Sequence, residues 1–319
     1  MGRVHVMERR TLGAKGPEIS VIGYGAWEAG GSMWGEEIPD DEVLRAMHAA
    51  IDAGMNWIDT AEAYGAGRSE ELVGRILAER RDEVLVFTKV AHFVSGARPQ
   101  DVHRAIRGSL ERLGADHVDL YQIHWPHEER VPVEETWGAM AEVQDEGLAR
   151  CIGVSNFDRR LVERCLAIRH VDSVQNQFSL LHRNDEEGLL PWLAEQGVGY
   201  LAYGPLAFGL LTGAITKETT FAPNDWRSGG EWNLGYYRDL FAPGVIDRQL
   251  ERVDRLRPIA ERVGIDLPTL ALRAAIDATG VTAVIAGSRN PRHVEQNARA
   301  GDLSLDDATL RDVRAVLGA

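Results

Sequence analysis

A chain of 319 residues with 44% hydrophobic and 26% charged content has the make-up of a globular protein able to bury a large core. Its formal charge of -14, from 49 acidic against 35 basic residues with no long block of one sign, argues against bulk binding to nucleic acid or an anionic membrane; a local basic pocket for a phosphate stays allowed. The opening M-G-R-V-H-V-M-E-R-R has no apolar stretch fit for a signal peptide, and no later run approaches a membrane span, so a cytoplasmic protein without membrane insertion is expected.

In chain order, Arg10 to Ser20 reads as a short hairpin turning at Gly13 to Gly16 and placed to plug the bottom of a barrel. Eight apolar runs then read as strands: 21–25, 56–59, 84–88, 118–123, 149–154, 173–175, 199–203 and 283–286, each followed by a helical pattern. Asp40 or Asp41 is placed to cap a helix carrying Val43, Leu44, Met47 and Ile51. Pro99, Pro132 and Pro268 open three more, because proline suits the first helical turn. Eight β-then-α units in succession favour a closed parallel barrel over an open doubly wound sheet. The stretch from about 207 to 246 is rich in Gly and aromatics and lacks steady periodicity, the mark of a long functional loop. Leu305, Leu310, Val313 and Leu317 suggest a terminal extra helix, and no linker divides the chain. The two cysteines, Cys151 and Cys165, read as reduced core thiols, and no metal-ligand spacing is visible.

Four residues stand at or just past the ends of the second, third and fourth strands: Asp59 and Tyr64 in N-W-I-D-T-A-E-A-Y-G, Lys89 closing V-L-V-F-T-K, and His124 closing V-D-L-Y-Q-I-H. Singly, each has a bland reading: a turn cap, a packed aromatic, a snorkelling lysine, a core histidine. Together they place complementary titratable groups at the C-terminal mouth of a barrel, where such folds assemble active sites. A phenol near pKa ~10 is a reluctant proton donor unless its phenolate is stabilised, and a lysine beside it supplies that.

This combination is similar to the catalytic tetrad of the aldo-keto reductases, in particular a bacterial type related to the channel beta-subunit-like branch, and the resemblance runs over nearly the whole chain. It implies an α/β fold, a (β/α)8 TIM barrel over residues 1–319 as a single domain. It implies that Tyr64 donates the proton, that Lys89 and Asp59 support it, and that His124 orients a carbonyl oxygen. It also implies a bound NADP(H). Gly25, Ala26 and Trp27 border that cofactor; Ser155, Asn156 and Gln175 would hold its carboxamide; Tyr203 would stack on its nicotinamide. The loop with Gly204, Pro205, Leu206, Gly209 and Leu211 would wrap its pyrophosphate through backbone N–H groups. Gly287 and Ser288 lead into Arg289, the 2′-phosphate contact, and Gln296 and Asn297 reach the adenosine. His293 departs from the Arg or Gln common at its position, which leaves that contact weaker or pH-dependent. No G-x-G-x-x-G follows the first strand, so no separate dinucleotide domain is expected.

The expected reaction is reversible reduction of an aldehyde or ketone to an alcohol. Trp27, His92, Phe93, Trp125, Trp226 and Trp232, with Tyr236, Tyr237 and Phe241, are the expected substrate wall, since aromatics suit sugars, aromatic aldehydes and steroids alike. Two alternatives stay open: a nucleotide-binding regulatory or sensor subunit of a membrane channel with slow turnover, and a non-redox barrel enzyme such as an isomerase. Oligomeric state and the direction of the reaction are left open.

Overall fold

The computed structural model describes residues 7–31, 33–229 and 239–318. Trp232, Tyr236 and Tyr237 lie outside the described residues. The hairpin pairs β1 (Arg9–Thr11) antiparallel with β2 (Glu18–Ser20), Arg10 facing Ile19. Eight parallel strands follow: β3 (Ile22–Gly25), β4 (Trp57–Asp59), β5 (Leu85–Val90), β6 (Val118–Ile123), β7 (Ala149–Ser155), β8 (Ser173–Gln177), β9 (Gly199–Tyr203) and β10 (Ala283–Ile285). They close into a barrel as β10 pairs with β3. The sheet therefore has no free edge, and its strand ends form two distinct mouths.

Strand periodicity sorts the barrel's contents. Outward residues such as Tyr24, Ile58, Val86, Tyr121, Val154 and Tyr200 join the helices in the main core. Inward residues step from apolar at the bottom to polar at the top: Trp57 to Asp59, Phe87 to Lys89, Leu120 to Gln122. The hairpin's Leu12 and Ile19 pack into the same interior cluster as Trp57, Phe87 and Leu201, so the hairpin is the bottom plug that the sequence suggested. Trp57 also donates from Nε1 to the Ser20 carbonyl at 2.8 Å. Gly23 makes room for that indole; a Cβ there would stand 2.1 Å from the ring.

The helix starts fall where prolines and acids placed them, with one change. Helix Asp40–Asp52 is preceded by Pro39, so Asp40, Asp41 and Glu42 fill its first turn and favour its dipole instead of capping it. Pro99 opens Pro99–Leu113, Pro132 precedes Val133–Asp145, and Asp266 caps Leu267–Ile276 by accepting from the Thr269 N–H. The long segment after β9 is less loop-like than its composition suggested. Its described parts form short 3-10 turns, and helix Val245–Val263 follows with Leu250, Val253, Leu256 and Ile259 buried. Helix Asp307–Leu317 closes the chain. Cys151 and Cys165 are both free and buried, their thiols pushed up to about 12 by burial. Among the described residues no helix is long and apolar enough to cross a membrane.

Candidate active site

The top mouth of the barrel opens into a cleft of about 680 Å³, within the range of small-molecule sites. Asp59, Tyr64 and His124 line it, and Lys89 lies fully buried beneath them. The Lys89 ammonium donates to Asp59 Oδ1 at 2.5 Å, to the Thr60 carbonyl at 2.8 Å and to the Tyr64 hydroxyl at 3.5 Å. Burial pushes Lys89 below the ordinary lysine value, while the Asp59 charge and hydrogen bond and the more distant Glu70 pull it back up. The four residues chosen from sequence thus converge, because their strands are adjacent in the barrel and Tyr64 is returned to the mouth by the turn after β4.

His124 stands across from Tyr64, ring centroids 5.6 Å apart and edge to face. Burial, then the Lys89 charge and His92, hold its imidazole well below the ordinary histidine value. Its Nδ1 is buried with no partner among the described residues. We expect His124 to stay neutral as pH falls through about 6.5, where free histidines take up a proton. Its ring resonances in an NMR titration should not move there; a shift with a midpoint near that value would show a solvated imidazole instead.

A polar network continues along the cleft. Asn156, in the left-handed region at φ 63°, donates from Nδ2 to the His124 carbonyl at 3.0 Å and to Ser155 Oγ at 3.1 Å. Its Oδ1 accepts from the Tyr203 hydroxyl at 2.7 Å. Gln175 donates to Asp59 Oδ2 at 2.8 Å. Farther out, Gly25, Trp27, Gly204, Pro205, Leu206, Gly209, Gly287, Ser288, His293, Gln296 and Asn297 line the same cleft. Gly204 and Gly209 have φ of 65° and 104°, a backbone course that suits glycine. Asn290 caps the helix Pro291–Ala298, whose first turn opens beside Ser288.

Several residues expected here sit elsewhere. Ala26 and Leu211 are buried behind the lining. Arg289 does not line the cleft: its guanidinium donates to the Glu36 carbonyl at 2.8 Å and the Trp34 carbonyl at 2.9 Å, strapping the loop after β3. His92 stacks on His127 at 4.2 Å beside a separate small cavity, because the turn after β5 presents Phe93 to the main cleft instead. Trp226 is wholly buried and backs Trp27, rings stacked at 6.0 Å, so it supports the wall that Trp27 and Trp125 face.

The sequence reading missed part of that wall. Trp34 meets Trp27 edge to face at 4.9 Å, and Glu28, Met33, Phe208 and Arg227 also line the cleft. Trp34 pairs with Asp225 as an isolated antiparallel bridge, and the Trp226 N–H donates to the Met33 carbonyl at 3.1 Å. The aromatic, Gly-flanked G-S-M-W-G was the available signal.

The sequence model of the Aldo/keto reductase family matches residues 21–317. Aldo-keto reductase YhdN of Bacillus subtilis (strain 168) is 35% identical over 320 residues, covering 98% of this chain and 94% of that protein. The solved structure of glycerol dehydrogenase AKR11B4 from Gluconobacter oxydans is 30% identical and superposes with a TM-score of 0.84, covering 99% of this chain and 96% of that one. An aldo/keto reductase from Klebsiella pneumoniae, solved in complex with NADP and acetate, is 29% identical with a TM-score of 0.74, covering 96% of this chain and 94% of its own. With a closed eight-stranded barrel and a match running from its first strand to the terminal helix, this chain belongs to the aldo/keto reductase family.

Proposed function

We propose that this protein is an NADP(H)-dependent oxidoreductase that reversibly reduces an aldehyde or ketone to an alcohol, with Tyr64 as proton donor. The observation that carries this reading is the convergence of Tyr64, Lys89 and His124 on one cleft that runs on to Ser288 and Asn297. The residues present fit the cofactor: side-chain amides at Asn156 and Gln175, the Tyr203 ring, a glycine-bearing loop and a helix start beside Ser288 make a graded series of partners for a ring, phosphates and an adenosine. The Klebsiella relative's complex with NADP supports the same choice.

When bound, the nicotinamide supplies a hydride from C4 to the carbonyl carbon. Tyr64 gives its hydroxyl proton to the carbonyl oxygen, and the Lys89 ammonium stabilises the phenolate left behind. Asp59 and the Thr60 carbonyl hold that ammonium in place. His124, neutral and with Nδ1 unpartnered, is best assigned its proton on Nε2, which leaves only a lone pair unsatisfied and a donor for the substrate oxygen. Trp27, Phe93 and Trp125 narrow the approach and exclude water.

The test is NADPH consumption by purified protein with a panel of sugars, small aldehydes and quinone-like ketones. Turnover supports the reading; tight NADPH binding without turnover points to a nucleotide sensor; no nicotinamide binding sinks it. Arg289 gives a second test. We expect NADPH to draw its guanidinium from the Trp34 and Glu36 carbonyls to the 2′-phosphate. Arg289→Ala should then weaken NADPH by roughly 1.5–3 kcal/mol, the range for a charge-assisted hydrogen bond, and barely affect NADH. Equal weakening of both in a fluorescence titration would make Arg289 a loop strap alone.

A further inference from the structure

Beneath the cleft lies a glutamine that none of these roles uses. Gln122 faces into the barrel from β6, opposite Lys89 on β5, and is fully buried. It packs beside Gly153, where a Cβ would stand 3.4 Å from Gln122 Cγ and 2.5 Å from Ser173 Oγ. Gln122 Nε2 donates to Asp59 Oδ2 at 3.3 Å, and Gln122 Oε1 accepts from Gln175 Nε2 at 3.3 Å. Gln175 Nε2 also donates to Asp59 Oδ2 at 2.8 Å. Asp59, Gln122 and Gln175 therefore form a closed ring of hydrogen bonds.

That ring settles an orientation. A side-chain amide carries two N–H donors and one carbonyl, and its two ends are otherwise interchangeable in shape. Both hydrogens of Gln175 are committed inside the barrel, one to Asp59 and one to Gln122, so the end left for the cleft is Oε1, an acceptor. We propose that Gln122 is a positioning residue: it fixes the Gln175 amide so that Oε1 accepts from an N–H of a nicotinamide carboxamide, and it steadies Asp59 toward Lys89. This rests on the cofactor reading above and adds what selects the carboxamide. Without Gln122, Gln175 loses one of two anchors and turns, and the cleft no longer reads a donor in that place. Asp59 alone does not do this, because a carboxylate accepts from either amide hydrogen without holding the second.

The experiment compares NADPH with its reduced 3-acetylpyridine analogue, in which a methyl ketone replaces the carboxamide and removes its N–H donors. Dissociation constants by tryptophan fluorescence quenching give a discrimination ratio that does not depend on turnover. The wild type should prefer NADPH by about 3- to 10-fold, the worth of one neutral hydrogen bond. Gln122→Met, similar in length but without donor or acceptor, should bring the ratio toward one. Gln122→Glu, protonated beside Asp59 and retaining an acceptor oxygen for Gln175, should restore most of it. A merely structural loss would weaken both nucleotides alike and leave the ratio alone. A wild type that discriminates, with a Met variant that discriminates equally, overturns the proposal and leaves the cofactor reading standing. A wild type that binds both nucleotides equally also overturns it, and one that binds neither sinks the cofactor reading as well. Should Gln122→Met not fold, Gln122→Asn, which withdraws the amide by one methylene, carries the same comparison.

Discussion

Tyr64→Phe should cut carbonyl reduction by roughly 10²- to 10⁴-fold, the usual worth of a general acid, while NADPH affinity and thermal stability stay close to wild type. The substitution removes one hydroxyl and keeps the ring that packs near Trp27 and edge-on to His124. Lys89 donates to that hydroxyl at a long 3.5 Å and keeps its bonds to Asp59 and the Thr60 carbonyl, so the anchoring of the ammonium survives the loss. The loss should fall on kcat with a substrate whose chemical step is slow, because the hydroxyl matters most as the oxygen takes up charge. Near wild-type kcat in that assay would remove Tyr64 from the reaction and leave His124 as the remaining candidate donor.

The parts of this arrangement that sequence revealed are those carried by strand ends. Lys89 and His124 each close an apolar run, so their address at the mouth follows from the run itself, and β4 through β6 being neighbours does the rest. The bottom plug was equally legible, since a Gly-turned hairpin before the first strand has few other places to bury Leu12 and Ile19. What stayed hidden depends on contacts between segments distant in the chain. Trp34 is held in the wall by partners far along the chain, Asp225, nearly two hundred residues on, among them. Arg289 resembles a phosphate contact in sequence, yet nothing local reveals the carbonyls of Trp34 and Glu36 within its reach. Of the two neighbours His92 and Phe93, both expected on the wall, the turn keeps Phe93 at the cleft and sends His92 to a separate small cavity.

Gln122 is an intermediate case. Strand alternation through Leu120 and Gln122 places both inside the barrel, in step with Phe87 and Lys89 on the neighbouring strand. A polar residue two positions before His124 therefore had to face the site from below. Its partners, Asp59 and Gln175, come from strands on either side of the interior and were not visible from spacing.

Lys89→Met should abolish measurable turnover and also destabilise the protein, and the two losses are separable. The ammonium is wholly buried and is the cation paired with Asp59, itself 3% exposed. Removing it leaves a carboxylate in the barrel whose remaining partners among the described residues are the amides of Gln122 and Gln175, and breaking a buried pair from one side typically costs about 3–5 kcal/mol. Chemical denaturation should register that cost. Asp59→Asn added to Lys89→Met removes the stranded charge while keeping an oxygen for the two glutamines, so much of the stability should return. Activity should not return with it, because the phenolate formed when Tyr64 gives up its proton still lacks a cation. A double variant that regains turnover along with stability would show that Lys89 serves the fold alone, and the proton would have to come from a group that needs no ammonium beside it.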